Sequence, residues 1–124
     1  MYVYSNKNPL GRKIGDCVVR AISEALNQTW ERTYADLCVM GFDYADMPNS
    51  NATWHAYLTE KGYKRYIIPD TCPDCHTIGR FADEHPQGTY IVATGTHAAC
   101  VKDGAIRDNW DSSDLTATYF YVKE

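Results

Sequence analysis

Cys17 stands where a reactive thiol is most easily made. It follows Gly15-Asp16 and opens the run CVVRAISEALNQ, in which Val18, Ala21, Ile22, Ala25 and Leu26 recur at helical spacing. A cysteine at the first residue of a helix sits among unpaired N–H groups at the positive end of the helix dipole. Both stabilise a thiolate, which lowers the thiol pKa and makes the sulfur nucleophilic. The same N–H groups can hold an oxyanion at an attacked carbonyl, and Gly15 lets a substrate approach the backbone. The plain alternative is an inert thiol beginning a core helix.

A thiol nucleophile needs a base, and the chain has four histidines. His55 and His85 fall within or at the end of helical runs and suit surface or packing roles. His76 belongs to the Cys72–Cys75 loop. His97 begins a β-rich run after Gly95-Thr96, where a side chain can project from a sheet edge into a cleft. Asp103-Gly104, just beyond it, is a strong two-residue hairpin signal. With these as the turn, Lys102 faces Ala105, Val101 faces Ile106, Cys100 faces Arg107 and Ala99 faces Asp108. Alternation then puts His97, Ala99 and Val101 on one face with Ile106, Asp108 and Trp110. Asp108 lies diagonally from His97, within side-chain reach. It can fix the His97 tautomer and stabilise its cationic form. Asn109 points to the other face, and a one-residue bulge would exchange the two. Trp110 can cover the ion pair from water, or simply pack in the core.

The elements that must position these groups are readable. The first helix spans 17–27 and ends at Asn27. Thr29 caps a second over 30–40, which Gly41 stops, and Ser50 or Asn51 caps ATWHAYLTEKG, which closes at Gly62. YKRYIIP is a strand ended by Pro69, and Thr77 caps a short helix, IGRFADEH. TYIVAT, HAACVK, AIRDNW and TATYFYVK are four short β-rich runs. Residues 1–14 read as an irregular arm. The expectation is a single α+β domain over 1–124, its N-terminal helices packed on a C-terminal antiparallel sheet of about four to five strands arranged as a meander.

Composition narrows the partners. The chain has 124 residues, 44% hydrophobic and 23% charged, with a net charge of −4. The basic residues are scattered, with no cluster that would track phosphates, so no nucleic-acid partner is expected. No apolar run approaches a membrane span, and MYVYSNKNPLGRK is no signal peptide, so a cytoplasmic, reducing setting is expected. Five cysteines, an odd count, then leave at least one thiol for reactivity. Ten tyrosines suit a half-buried β surface or a binding face.

Cys72-Pro-Asp-Cys75-His76 matches the C-x-x-C-H pattern of c-type haem attachment. Zinc and a local redox pair are further possibilities. No second C-x-x-C accompanies it and no export signal favours haem, so an unliganded loop is the expectation, with no cofactor.

GDCVVRAI, THAACVKDG and IRDNWDSS together resemble small bacterial and phage papain-like cysteine peptidases, which share their core with the bacteriocin-leader peptidases. The resemblance spans residues 15–122. It implies Cys at the start of a central helix, His on a strand and Asp or Asn on the next. By it, Cys17 matches the nucleophile, His97 the base and Asp108 the orienting acid. Such enzymes place a Gln shortly before the nucleophile to complete the oxyanion hole. Residues 10–14 contain none, while Asn6 and Asn8 lie upstream and can reach in if the arm folds back. The expected activity is cleavage of a peptide or amide bond through an acyl-enzyme on Cys17. The expected substrate is a peptide, a protein or a small amide. An acyl or amide transferase using the same three residues, or a non-catalytic papain-fold binding module, are the alternatives.

Overall fold

The computed structural model describes residues 1–69 and 73–124. Its elements run β1 (Tyr2–Tyr4), α1 (Cys17–Leu26), α2 (Trp30–Tyr44), α3 (Asn51–Glu60), β2 (Tyr63–Ile67), α4 (Ile78–Glu84), β3 (Thr89–Ala93), β4 (Ala98–Lys102), β5 (Ala105–Asp108) and β6 (Tyr119–Lys123). The fold is α+β, built on one six-stranded sheet of order β1-β5-β4-β3-β6-β2.

The sheet separates two apolar clusters. On one face α1, α2 and α3 bury Val18, Ile22, Leu37, Trp54 and Leu58 against Ile91, Ala98 and Tyr121. On the other, α4 buries Ile78, Phe81 and Ala82 against Val92, Val101 and Ile106. Fully burying an aliphatic side chain such as Ile22 or Leu58 contributes roughly 1.5–3 kcal/mol. α1 lies over β4, with every residue from Val18 to Glu24 buried, so it is the central helix.

The Asp103-Gly104 hairpin takes the expected register, with Lys102 opposite Ala105, Val101 opposite Ile106 and Cys100 opposite Arg107. Both turn residues have positive φ, 51° and 79°, which a tight two-residue hairpin requires. Thr29, Ser50 and Thr77 cap their helices by accepting from the N–H three residues on.

Three expectations change. The arm is not wholly irregular: Tyr2–Tyr4 adds a strand parallel to β5, so the sheet is mixed and has six strands. Three residues are too few to show a period, and their pairing partner lies at the far end of the sequence. β1 also takes the edge of β5 that a simple meander would give to β6. Instead β6 crosses back to pair with β3 on one side and β2 on the other. Finally, α2 runs through Gly41 to Tyr44. Gly41 is buried where a Cβ would meet the Asp46 carbonyl oxygen at 2.7 Å, so it serves close packing rather than termination. The stop is Ala45, in the left-handed region; its N–H returns to the Phe42 carbonyl (3.3 Å) and the Asp46 N–H to that of Gly41 (2.8 Å).

Candidate active site

Cys17 is the first residue of α1, and no side chain caps that helix. The residue in the cap position, Asp16, is turned elsewhere. Its carboxylate accepts from Arg20 Nε (2.8 Å), Trp30 Nε1 (3.0 Å) and Asn8 Nδ2 (3.2 Å). The start of α1 therefore keeps its N–H groups clear of a competing side chain.

His97 is placed by the turn between β3 and β4. Gly95, at φ +99°, supplies the reversal. Thr94 Oγ1 accepts from the His97 N–H (3.1 Å), and Thr94 N–H donates to the His97 carbonyl (2.9 Å). Asp108 ends β5. His97 Nε2 donates to Asp108 Oδ2 at 2.7 Å, because an ionised carboxylate can only accept. Cys17 and His97 line the same cleft, and with Nε2 engaged, Nδ1 is the ring nitrogen left for the Cys17 thiol. The sequence-derived residues Cys17, His97 and Asp108 are thus brought together by a helix start, a turn and a strand end. The Trp110 and His97 ring centroids lie 5.0 Å apart, and Trp110 is half-exposed.

The electrostatics follow from these contacts. Burial pushes the Cys17 thiol up, but the His97 hydrogen bond, the Ala98 N–H and the nearby His97 and Arg20 charges bring it below its ordinary value. Burial acts to lower the His97 pKa. Hydrogen bonds to Asp108 and Cys17, and their charges, outweigh it and raise His97 to about 9. Burial would likewise raise Asp108, yet His97, Arg20 and Ser112 hold it below the usual carboxylate range. This is the pattern of a thiolate–imidazolium pair. Cys100 is the contrast: fully buried near Glu24, its thiol is pushed up to about 12.

The thiol opens on a cleft of about 210 Å³. Val18, Trp54 and Tyr119 give it apolar and aromatic walls, and Asn49, Asn51 and Thr96 add polar side chains beside Cys17 and His97. The arm does fold back, but Asn8 turns inward. Its Nδ2 binds Asp16 and its Oδ1 accepts from the Leu10 and Arg12 amides. Asn6 Oδ1 accepts from Asn8 N–H, and its Nδ2 is buried without a hydrogen-bond partner among the described residues. Neither asparagine lines the cleft.

Arg20, Asp16 and Ser112 were not foreseen. Ser112 Oγ donates to Asp108 Oδ2 (2.9 Å), the Asn109 N–H donates to Oδ1 (2.8 Å), and Arg20 Nη1 donates to Oδ1 (2.5 Å). A signal did exist: Asp16 and Arg20 are four residues apart, and Arg20 is a charge amid the buried run of α1.

The Cys72 part of the C-x-x-C-H expectation lies outside the described residues. Cys75 is exposed, and His76 Nε2 lies 3.3 Å from Glu84 Oε1. Among the described residues no three His, Cys, Asp or Glu side chains group as metal ligands would, and no helix is long and apolar enough to cross a membrane. Comparison with protein-family models, curated proteins and solved structures finds no significant match to this chain.

Proposed function

We propose that this protein is a papain-like thiol hydrolase that cleaves a peptide or amide bond through an acyl-enzyme on Cys17. The observation that carries this is Cys17, at the start of α1, sharing a cleft with His97, whose other ring nitrogen is bonded to the buried Asp108. A core histidine needs no thiol on one nitrogen and a buried carboxylate on the other. A structural thiol would have a raised pKa, as Cys100 has.

The Cys17 thiolate attacks the substrate carbonyl carbon, and the electron pair moves to the oxygen. The free N–H groups at the start of α1 stabilise that oxyanion. As the intermediate collapses, the C–N bond breaks and the His97 imidazolium gives its proton to the departing amine. Water then attacks the thioester and loses a proton to His97. The acid leaves, and the thiolate–imidazolium pair is restored. An amine in place of water would make the same site a transferase. The apolar walls of Val18, Trp54 and Tyr119 suit a peptide or protein substrate, and a small amide would also fit. A reducing cytoplasm would keep the thiol usable.

The test is the rate of iodoacetamide alkylation of Cys17 between pH 5 and 10, with the site located by mass spectrometry. Cys17 is expected to react with a midpoint below the ordinary thiol range, and Cys17→Ser to lose that phase. A peptide and amide panel should then leave an acyl adduct on Cys17. For any substrate cleaved, kcat/KM should fall above about pH 9, where His97 loses the proton the leaving amine needs. Alkylation of Cys17 no faster than in the unfolded chain would sink the enzyme and leave a binding module in its place.

A further inference from the structure

We propose that Arg20 is a positioning residue of the Cys17 site, tying the orienting acid to the nucleophile's own helix by bridging Asp16 and Asp108. This deepens the proposed thiol chemistry and rests on it. Arg20 lies one turn into α1, with its side chain 7% exposed. Its Nε binds Asp16 Oδ1 at 2.8 Å, and its Nη1 binds Asp108 Oδ1 at 2.5 Å. Asp16 immediately precedes Cys17, and Asp108 carries His97. One planar guanidinium therefore sets the spacing between the helix that holds the thiol and the strands that hold its base.

The division of the Asp108 oxygens gives the bridge its meaning. Oδ1 is occupied by Arg20 and the Asn109 N–H, so Oδ2 is left to His97 and Ser112. Arg20 thus fixes which oxygen faces the ring and at what angle. The charged or titratable groups facing Asp108 are His97 from the turn before β4, Arg20 from α1 and Tyr2 from β1. Those facing Cys17 are His97 and Arg20. Arg20 is the permanent cation common to both. Lysine cannot replace it, since a single ammonium lacks the fork that spans two carboxylates.

The experiment uses the full chain with Arg20→Met, Arg20→Lys and, as a control, Arg32→Met, which breaks only the exposed Arg32–Asp36 pair. Circular dichroism checks folding. Two readouts need no substrate: the pH midpoint of Cys17 alkylation, and the NMR resonance of the His97 Nε2-bound proton. Arg20→Met should move the midpoint up by about one unit, because a neighbouring cation is lost. Arg20→Lys should move it less. Both should broaden the His97 proton signal and lower kcat by about a hundredfold at nearly unchanged KM, as misplaced groups do. If Arg20→Met does not fold, Arg20→Lys decides by the His97 signal and kcat. Folded Arg20 variants with wild-type midpoint, His97 signal and kcat overturn the proposal. An inert Cys17 in the wild-type chain overturns the proposed function and takes the Arg20 role with it. An activated wild-type Cys17 with unchanged variants overturns the Arg20 role alone.

Discussion

Asp108 accepts from four donors, two at each oxygen, and ends nearly fully buried. Two consequences separate when it is made neutral. Asp108→Asn can still accept from His97 through its amide oxygen, so the ring keeps an orienter. It loses the negative charge, so the His97 pKa falls from about 9 and the alkaline limb of the proposed hydrolysis moves to lower pH. It also leaves Arg20 with one buried carboxylate instead of two. Breaking a buried pair costs about 3–5 kcal/mol, so unfolding in urea should show a loss of that order. A variant with an unchanged pH profile and unchanged midpoint in urea would contradict both parts. The approach of Cys17 to His97 was expected only from the family resemblance, since strict alternation groups His97 with Ala99, Val101 and Ile106 on the face that α4 covers; the pairing of His97 with Asp108 was legible from the hairpin register. Arg20 was not, because its partner Asp108 is 88 residues away.

Among the elements, α2 and the loop after it show what a glycine can mean. Position alone suggested that Gly41 ends the helix. Its backbone instead lies under the returning chain, at Asp46, Met47 and Pro48. Gly41→Ala should therefore destabilise by about 1–3 kcal/mol, the usual cost of overpacking, read as a lower midpoint in thermal or urea unfolding. An alanine variant as stable as the wild type would contradict the close approach. The loop matters for the site because Asn49 follows it onto the cleft wall and Ser50 caps α3, which carries Trp54. Caps and helix faces were readable because each depends on three or four neighbouring residues. The reach of α2 was not, because a tertiary approach and a chain stop call for the same residue.

For the whole molecule, the α+β class and the β4–β5 register followed from pattern, while the mixed sheet did not. Parallel pairing of β1 joins residues with no sequence signal between them. Tyr2 and Asp108 stand 106 positions apart, yet Tyr2 Oη and the Ser5 N–H both donate to the Asp108 carbonyl. That distance has a meaning in time. The arm and Cys17 leave the ribosome early, but the strand end that docks the arm and steadies His97 comes much later. At roughly 5–20 residues per second, the interval is on the order of 5–20 s. Throughout it, the thiol has neither its base nor the cation-and-carboxylate frame behind it. On the proposed chemistry, the protein is made disarmed and arms itself only as the far end of the sheet arrives. Pulse alkylation of ribosome-stalled chains of increasing length should find Cys17 behaving as an ordinary thiol until residue 108 has cleared the exit tunnel. Fast labelling of shorter chains would show that the helix start alone suffices.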